Sequence, residues 1–86
     1  MTIELSCGFT CVIPDERIDN WELIELTDSL VKSNTATMPS YLSFLLGDDQ
    51  YKELKNYVKK ENPVLTISTF MPIVYELMEK VGGKNL

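Results

Sequence analysis

The stretch from Leu45 to Val58 constrains the fold more than any other part of this chain. An apolar helix end meets Gly47, and glycine most readily takes the left-handed conformation that closes a helix. Asp48 then fits the N-cap of a following helix, with Asp49 beside the positive end of its dipole. On this second helix apolar and charged side chains fall on opposite faces. The stretch therefore predicts two helices joined by a tight turn.

Residues 1–13 predict β-structure. Alternate residues from Ile3 to Ile13 are apolar or cysteine, with mostly polar residues between them, which is the pattern of a half-buried strand. A two-residue turn at Cys7-Gly8 would mix the two faces, so an extended strand or a hairpin of looser register is favoured. Because the rest of the chain offers no second clear strand, we expect this segment to pair with another subunit in a homo-oligomer.

The helices are predicted from apolar periodicity and from stop and start signals. They run from Asp15 or Asp19 to about Lys32, from Thr37 or Met38 through Leu46, from Asp48 to Glu61, and from about Thr69 to Val81. Thr66 or Ser68 is expected to cap the last helix, Pro72 to lie in its first turn, and Gly82-Gly83 to stop it.

These elements predict one mainly α domain over residues 1–86, with about four helices in a small bundle behind an N-terminal β-strand or hairpin. The β segment covers 1–13, the helical part 15–81 and a flexible tail 82–86.

Charge and hydropathy argue against two classes of partner. The net charge is −5, with 13 acidic residues, 8 basic residues and no histidine. Up to Asn34 the chain has seven acidic residues and only two basic residues, Arg17 and Lys32. This acidity disfavours nucleic acid, because phosphate neutralisation dominates such binding. No apolar run approaches the roughly 20 residues that span a bilayer, and no secretory signal is evident, so we expect no membrane partner and a cytoplasmic location.

We predict no catalytic, cofactor or metal site. On a strand Cys7 and Cys11 would lie about 13 Å apart, too far for a disulfide, and both are interpreted as buried core thiols. The acidic pairs Asp15-Glu16 and Asp48-Asp49 are better explained by helix capping than by a divalent cation.

Two further patterns resemble motifs of other functions, and neither is favoured. Asp28-Ser29-Leu30 resembles the attachment site of acyl carrier proteins, although Ser29 lies inside or at the end of a predicted helix. Leu42 to Val58 has the layout of a DNA-binding helix-turn-helix, but its second helix would meet phosphates with Asp48 and Asp49.

The first and last long helices carry more apolar surface than a core this small readily buries. The residues that we expect in the core or against a partner, without separating the two, are Trp21, Ile24, Phe70, Val74, Leu77 and Met78. Such a surface favours an apolar partner helix.

The order of elements resembles the tail assembly chaperones of long-tailed bacteriophages and prophages of Gram-positive bacteria. The matching stretches are Asp19-Asn20-Trp21-Glu22-Leu23-Ile24-Glu25, Leu45-Leu46-Gly47-Asp48-Asp49-Gln50-Tyr51-Lys52-Glu53-Leu54, and the tail with Gly83-Lys84-Asn85. Many members have a glycine-bearing turn before the last helix, where this chain has Glu61-Asn62-Pro63.

The resemblance implies a non-enzymatic protein that coats the apolar, helical tape-measure protein, keeps it soluble and helps to recruit tail-tube subunits. It also implies a location in the cytoplasm of the bacterial host and absence from the mature virion. Two alternatives remain: a phage or mobile-element inhibitor that binds a host protein through its acidic face, and a carrier protein modified at Ser29.

Overall fold

The N-terminal segment folds back on itself as a β-hairpin in the computed structural model, which describes the backbone of residues 1–85 and the side chains of residues 1–82. Strand β1 (Thr2–Glu4) pairs antiparallel with β2 (Thr10–Val12), and Ile3 lies opposite Cys11. The looser-register hairpin is therefore the correct alternative, and the single extended strand is wrong.

An odd-numbered loop keeps the apolar residues of the hairpin on one face. The Leu5 N–H donates to the Phe9 carbonyl at 2.8 Å, and the Gly8 N–H donates to the Leu5 carbonyl at 2.9 Å. Gly8 has a φ of 99°, as three-residue hairpin loops commonly require at their last position. Odd residues thus face odd residues, and the buried face consists of Ile3, Leu5, Phe9, Cys11 and Ile13.

The two cysteines differ in their surroundings because they lie on different parts of the hairpin. Cys11 is buried on β2, as predicted, and burial raises the pKa of its thiol. Cys7 is exposed in the loop, so its prediction as a core thiol was wrong. The alternation of apolar and polar residues continues through the loop, so the pattern alone did not distinguish the loop from the strands.

A helical side chain occupies the outer edge of β2. The Gln50 Oε1 accepts a hydrogen bond from the Val12 N–H at 2.8 Å, and its Nε2 donates to the Val12 carbonyl at 2.7 Å. The same Nε2 donates to the carbonyl of Leu46 at 2.8 Å. A single amide thus completes the pairing of Val12 as a neighbouring strand would.

The last helix bonds one position on the outer edge of β1 and the loop residue Ser6. The Glu76 carboxylate accepts from the Ser6 N–H at 2.9 Å, and the Lys80 Nζ donates to the Glu4 carbonyl at 2.7 Å. Strand β1 is thus paired within its own chain. The homo-oligomer was expected because the strand had no evident partner, and the described residues contain no such unpaired strand. Self-association stays a prediction without that reason.

The described residues form five helices behind the hairpin, which confirms the mainly helical fold. They are α1 (Asp15–Ile18), α2 (Trp21–Val31), α3 (Met38–Leu46), α4 (Asp48–Lys59) and α5 (Ile67–Asn85), with a 3-10 turn over Thr35–Thr37. Their buried apolar faces and the hairpin enclose one core, in which Tyr41, Leu45, Leu54, Val74 and Leu77 are almost fully buried.

The predicted first long helix is divided in two. Asn20 has an extended backbone, its Oδ1 accepts from the Glu22 N–H at 2.9 Å, and its Nδ2 donates to the Glu16 carbonyl at 3.3 Å. This one amide caps α2 and bonds back to α1. The predicted caps, Asp15 and Asp19, are therefore wrong, because the residue with the required geometry and a free oxygen is Asn20.

The joint between α3 and α4 is one residue long. Gly47 has φ 81° and ψ 159°, a conformation that is essentially restricted to glycine, and it is the N-cap of α4. Asp48 is the first residue of α4 rather than its cap, and its carboxylate accepts from the Ser43 hydroxyl at 2.8 Å. Arg17 covers the glycine: a Cβ there would lie 2.8 Å from its Nη1.

The start of α5 lies earlier than the periodicity predicted. Thr66 is the capping residue of the two candidates, since its Oγ1 accepts from the Thr69 N–H at 3.2 Å. Pro72 therefore lies in the second turn and not in the first. The N–H that it lacks would have bonded the carbonyl of Ser68, an exposed residue, so water can replace that bond.

The predicted helix stop at Gly82-Gly83 is wrong, because α5 continues to Asn85. Gly82 does not take the positive φ of a helix-closing glycine. A glycine costs a helix about 1 kcal/mol relative to alanine, whereas burial of a valine such as Val81 stabilises by about 1.5–3 kcal/mol. Leu86, the end of the predicted tail, lies outside the described residues.

We predict opposite effects of alanine at two glycines. Gly47→Ala should lower the free energy of unfolding by about 1–3 kcal/mol, because its backbone conformation is strained for any residue with a Cβ. Gly82→Ala should raise that energy by up to about 1 kcal/mol, because Gly82 is helical and its Cβ would meet no atom from the rest of the described residues within 4 Å. Urea denaturation measures both, and a stable Gly47→Ala protein would contradict the proposed role of the joint.

The hydrogen bonds of Glu76 predict a pH dependence. Burial alone would raise the pKa of its carboxyl group, but hydrogen bonds from Ser6 and Lys80 outweigh it and hold that pKa below its usual value. Stability from this depressed pKa is present above the unfolded-state pKa, about 4.3, and is lost as the pH falls through the folded-state pKa.

Wild type should therefore exceed Glu76→Gln in free energy of unfolding at pH 7, and this difference should shrink in acid. Urea titrations from pH 7 to about pH 3 test it. Glu53→Gln, on an exposed residue of α4, is the matched control. A difference that is independent of pH would show that the charge of Glu76 contributes nothing.

Candidate protein interface

An apolar groove of about 290 Å³ lies between α2 and α5 and is the candidate site. Its walls include Ile24 and Val31 from α2 and Met78 and Gly82 from α5, and Tyr41 of α3 also lines it. We call this feature the α2–α5 groove. A concave surface with apolar walls between two helices is suited to another apolar side chain or helix.

Helix α2 is apolar on two faces, and only one face reaches the core. Leu23 and Leu30 are buried, whereas Trp21, Ile24 and Val31 are 73%, 50% and 70% exposed. The spacing of these three residues, three and then seven, places them along one side of the helix. We call these three residues the outer stripe. Exposed apolar residues aligned beside a groove are typical of an interaction surface.

The structure separates the six residues that the sequence could not assign. Trp21 and Ile24 belong to the outer stripe, and half-buried Met78 lines the groove. The other three, Phe70, Val74 and Leu77, are 9%, 0% and 0% exposed in the core. A partner therefore does not reach these three in this conformation.

Sequence reasoning did not include Val31 and Gly82 among the expected site residues. Helical periodicity places Val31, seven residues after Ile24, on the same side of α2 as Trp21 and Ile24, but that grouping was not extended to the site. Gly82 lines the groove, but its interpretation as a helix stop removed it from consideration. Tyr75 of α5, which is 52% exposed, was identified from the sequence as part of a possible apolar binding surface on the last helix, but it is not one of the six expected site residues.

Acidic side chains lie on both helices that form the groove. Asp28 lines it, whereas Glu25 on α2 and Glu79 on α5 are exposed residues outside its lining, one helical turn after Trp21 and three residues before Gly82. We call Glu25, Asp28 and Glu79 the acidic rim. Lys32 contacts Asp28 at 2.8 Å, and this hydrogen bond raises the pKa of the lysine.

A second cleft, of about 440 Å³, lies where the hairpin loop meets the end of α4 and the start of α5. Its polar groups hold the hairpin: the Tyr57 hydroxyl donates to the Cys7 carbonyl at 2.8 Å, and Glu76 binds Ser6 and Lys80. The Phe9 ring contacts the Tyr57 ring, with centroids 5.6 Å apart. These contacts give the cleft a structural role.

Other sequence-derived candidates can be placed as well. Ser29 lies inside α2, and its Oγ is 2.8 Å from the Thr37 Oγ1, so it does not begin a helix as the attachment serine of carrier proteins does. Over the described residues, no group of three or more His, Cys, Asp or Glu side chains is arranged to hold a metal ion.

Comparison with protein-family models, with curated proteins and with solved structures gives no match. The resemblance to tail assembly chaperones therefore depends on the order of elements and on the stretches quoted for it. Within the described part of the chain, no helix has both the length and the apolar character needed to cross a bilayer.

The exposure of Trp21 gives a direct test of the outer stripe. It is the one tryptophan in the chain, so it alone reports tryptophan fluorescence. Its emission should lie near that of indole in water and acrylamide should quench it strongly, because 73% of the side chain is exposed. A blue-shifted, poorly quenched emission would mean that the stripe is already covered, for example by a second copy.

Proposed function

We propose that this protein is a non-enzymatic tail assembly chaperone of a long-tailed phage or prophage. It binds an apolar helical segment of the tape-measure protein in the α2–α5 groove and keeps that segment in solution in the host cytoplasm. The observation that carries the proposal is the outer stripe: Trp21, Ile24 and Val31 are exposed along one side of α2, and Ile24 and Val31 line the groove.

Helix-in-groove binding suits this geometry. An amphipathic partner helix presents apolar side chains at positions three, four and seven residues apart, which is the spacing that the outer stripe also has. Met78, an unbranched side chain, can adjust its rotamer to different apolar partners along a long client.

The magnitudes favour reversible binding. Burial of the exposed part of these three side chains stabilises a complex by about 3–6 kcal/mol before costs, and burial of the partner's own apolar side chains adds to this sum. Loss of translational and rotational freedom offsets about 4 kcal/mol or more of this sum. The surplus allows a complex that forms and dissociates readily. A chaperone must release its client when tube subunits assemble around it, so modest affinity fits the function.

The charge of the chain supports the same function. A net charge of −5 on a small domain keeps a complex with an apolar client dispersed through mutual repulsion. The resemblance adds the tail-tube protein as a second partner. We place that contact within the proposal without assigning residues to it.

The rival function, inhibition of a host protein through the acidic face, predicts a different dependence on residues. An inhibitor of that kind loses activity when exposed acids such as Glu22 are neutralised and tolerates a polar residue in the outer stripe. A chaperone for an apolar client shows the reverse. Substitution of Ile24 therefore separates the two functions.

The test is co-expression with a segment of the tape-measure protein encoded beside this gene. Wild type should raise the soluble fraction of that segment several-fold, and Ile24→Asp should abolish the effect by placing a charge in the apolar contact. Because Ile24 is 50% exposed, the variant should remain folded.

Val64→Asp is the matched control, since Val64 is 73% exposed and lies on the loop between α4 and α5, away from the groove. It should behave as wild type does. The proposal fails if wild type leaves the segment insoluble, or if Ile24→Asp solubilises it as well as the control does.

A further inference from the structure

We infer that the partner helix of the α2–α5 groove is basic: its apolar stripe is bordered by lysine or arginine residues that meet the acidic rim. This inference rests on the proposed function and adds the chemistry by which the groove selects one class of amphipathic helix. It follows from the charges around the groove, from their present partners and from the open space at Gly82.

The acidic rim consists of one carboxylate in the groove, Asp28, and one exposed carboxylate elsewhere on each of the two flanking helices. On α2, Glu25 lies four residues after Trp21 and three before Asp28, so these side chains are neighbours along the outer stripe. On α5, Glu79 is one helical turn after the exposed Tyr75. A helix that lies in the groove and across the exposed sides of α2 and α5 therefore meets carboxylates of both helices.

The described side chains leave most of this negative charge uncompensated. Glu25 and Glu79 are exposed and make no hydrogen bond or ion pair with any of them. Asp28 has Lys32, but both side chains are more than half exposed, so water screens the pair. On α5, Lys80 turns toward the hairpin and bonds Glu4 and Glu76.

The charges of the acidic rim affect the affinity when a partner helix docks. A partner helix displaces water from the rim, and a desolvated carboxylate without a cation is costly. Lysine and arginine remove that cost, and their aliphatic stems can lie along the apolar stripe while the charged ends reach the rim. The exposed Trp21 ring offers a further contact, since cations bind the faces of indole rings. An acidic helix meets like charges and is rejected.

Gly82 leaves the floor of the groove open. A Cβ at this position would meet no atom from the rest of the described protein within 4 Å, so among these residues a side chain can be added without a clash. Gly82→Leu should fill the groove while it favours the helix, because glycine is the weaker helix former. The variant thus blocks docking and retains the rim.

The experiment uses two helical peptides of about five turns with the same leucine stripe. One has lysines on both borders of the stripe and the other has glutamates. Binding to the full chain is followed by the blue shift of Trp21 emission. The lysine peptide should bind at least about tenfold more tightly, and its affinity should fall as salt is raised.

The charge reversal Glu25→Lys with Glu79→Lys should remove the preference or invert it. Glu53→Lys with Glu61→Lys, which makes the same charge change on and just after α4, should leave it intact. Gly82→Leu should weaken binding of the lysine peptide at least about tenfold. The inference is overturned by equal affinity for the two peptides, by no binding of either, or by a preference that survives reversal of the rim.

These outcomes remain separate from those of the proposed function. If neither peptide binds but the tape-measure segment is still solubilised in an Ile24-dependent way, the chaperone function stands and the basic partner is wrong. If the lysine peptide binds and the segment is not solubilised, the groove selects basic helices for another purpose.

Discussion

The fold depends on hydrogen bonds that helical side chains make with the open edges of a hairpin. A two-stranded hairpin with strands of three residues is marginal alone, because half of its backbone groups face outward. Gln50 pairs with Val12 on one edge, while Glu76 and Lys80 bond Ser6 and Glu4 on the other. The partners lie 38 to 76 residues apart, so these few bonds unite the beginning, the middle and the end of the chain.

The same constraint accounts for the free surface. Helix α5 contacts the hairpin through Glu76 and Lys80 and the core through Val74 and Leu77. Two faces of α5 thus contact the rest of the protein, and a third side, with Met78 and Gly82, lines the groove. Helix α2 contributes Leu23 and Leu30 to the core, with Leu26 packed against it, while the outer stripe is half or more exposed among the described residues. This exposed apolar face is the reason to assign a partner to it.

Most helices could be predicted from the sequence, because periodicity and the single glycine at 47 are local signals. The hairpin register could not, because it depends on a three-residue loop that continues the alternating pattern of the strands. The break at Asn20 was missed because the neighbouring aspartates are equally good capping residues by type. The site could be predicted only in part. The sequence identified apolar residues of α2 and α5, but which of them face outward is determined by how the helices pack on the core. Phe70 and Met78 are both large apolar residues of the last helix, so their type does not distinguish them, but Phe70 lies in the core and Met78 lines the groove.

The contact between Lys80 and Glu4 also has a consequence for synthesis. The first strand leaves the ribosome early, but the lysine that occupies its edge is added 76 residues later. At about 5–20 residues per second this interval lasts about 4–15 s. During it the β1 edge stays open to any neighbouring strand, including that of another nascent copy on the same message. The vulnerable state of this protein is therefore the unfinished chain, and the arrival of α5 ends it.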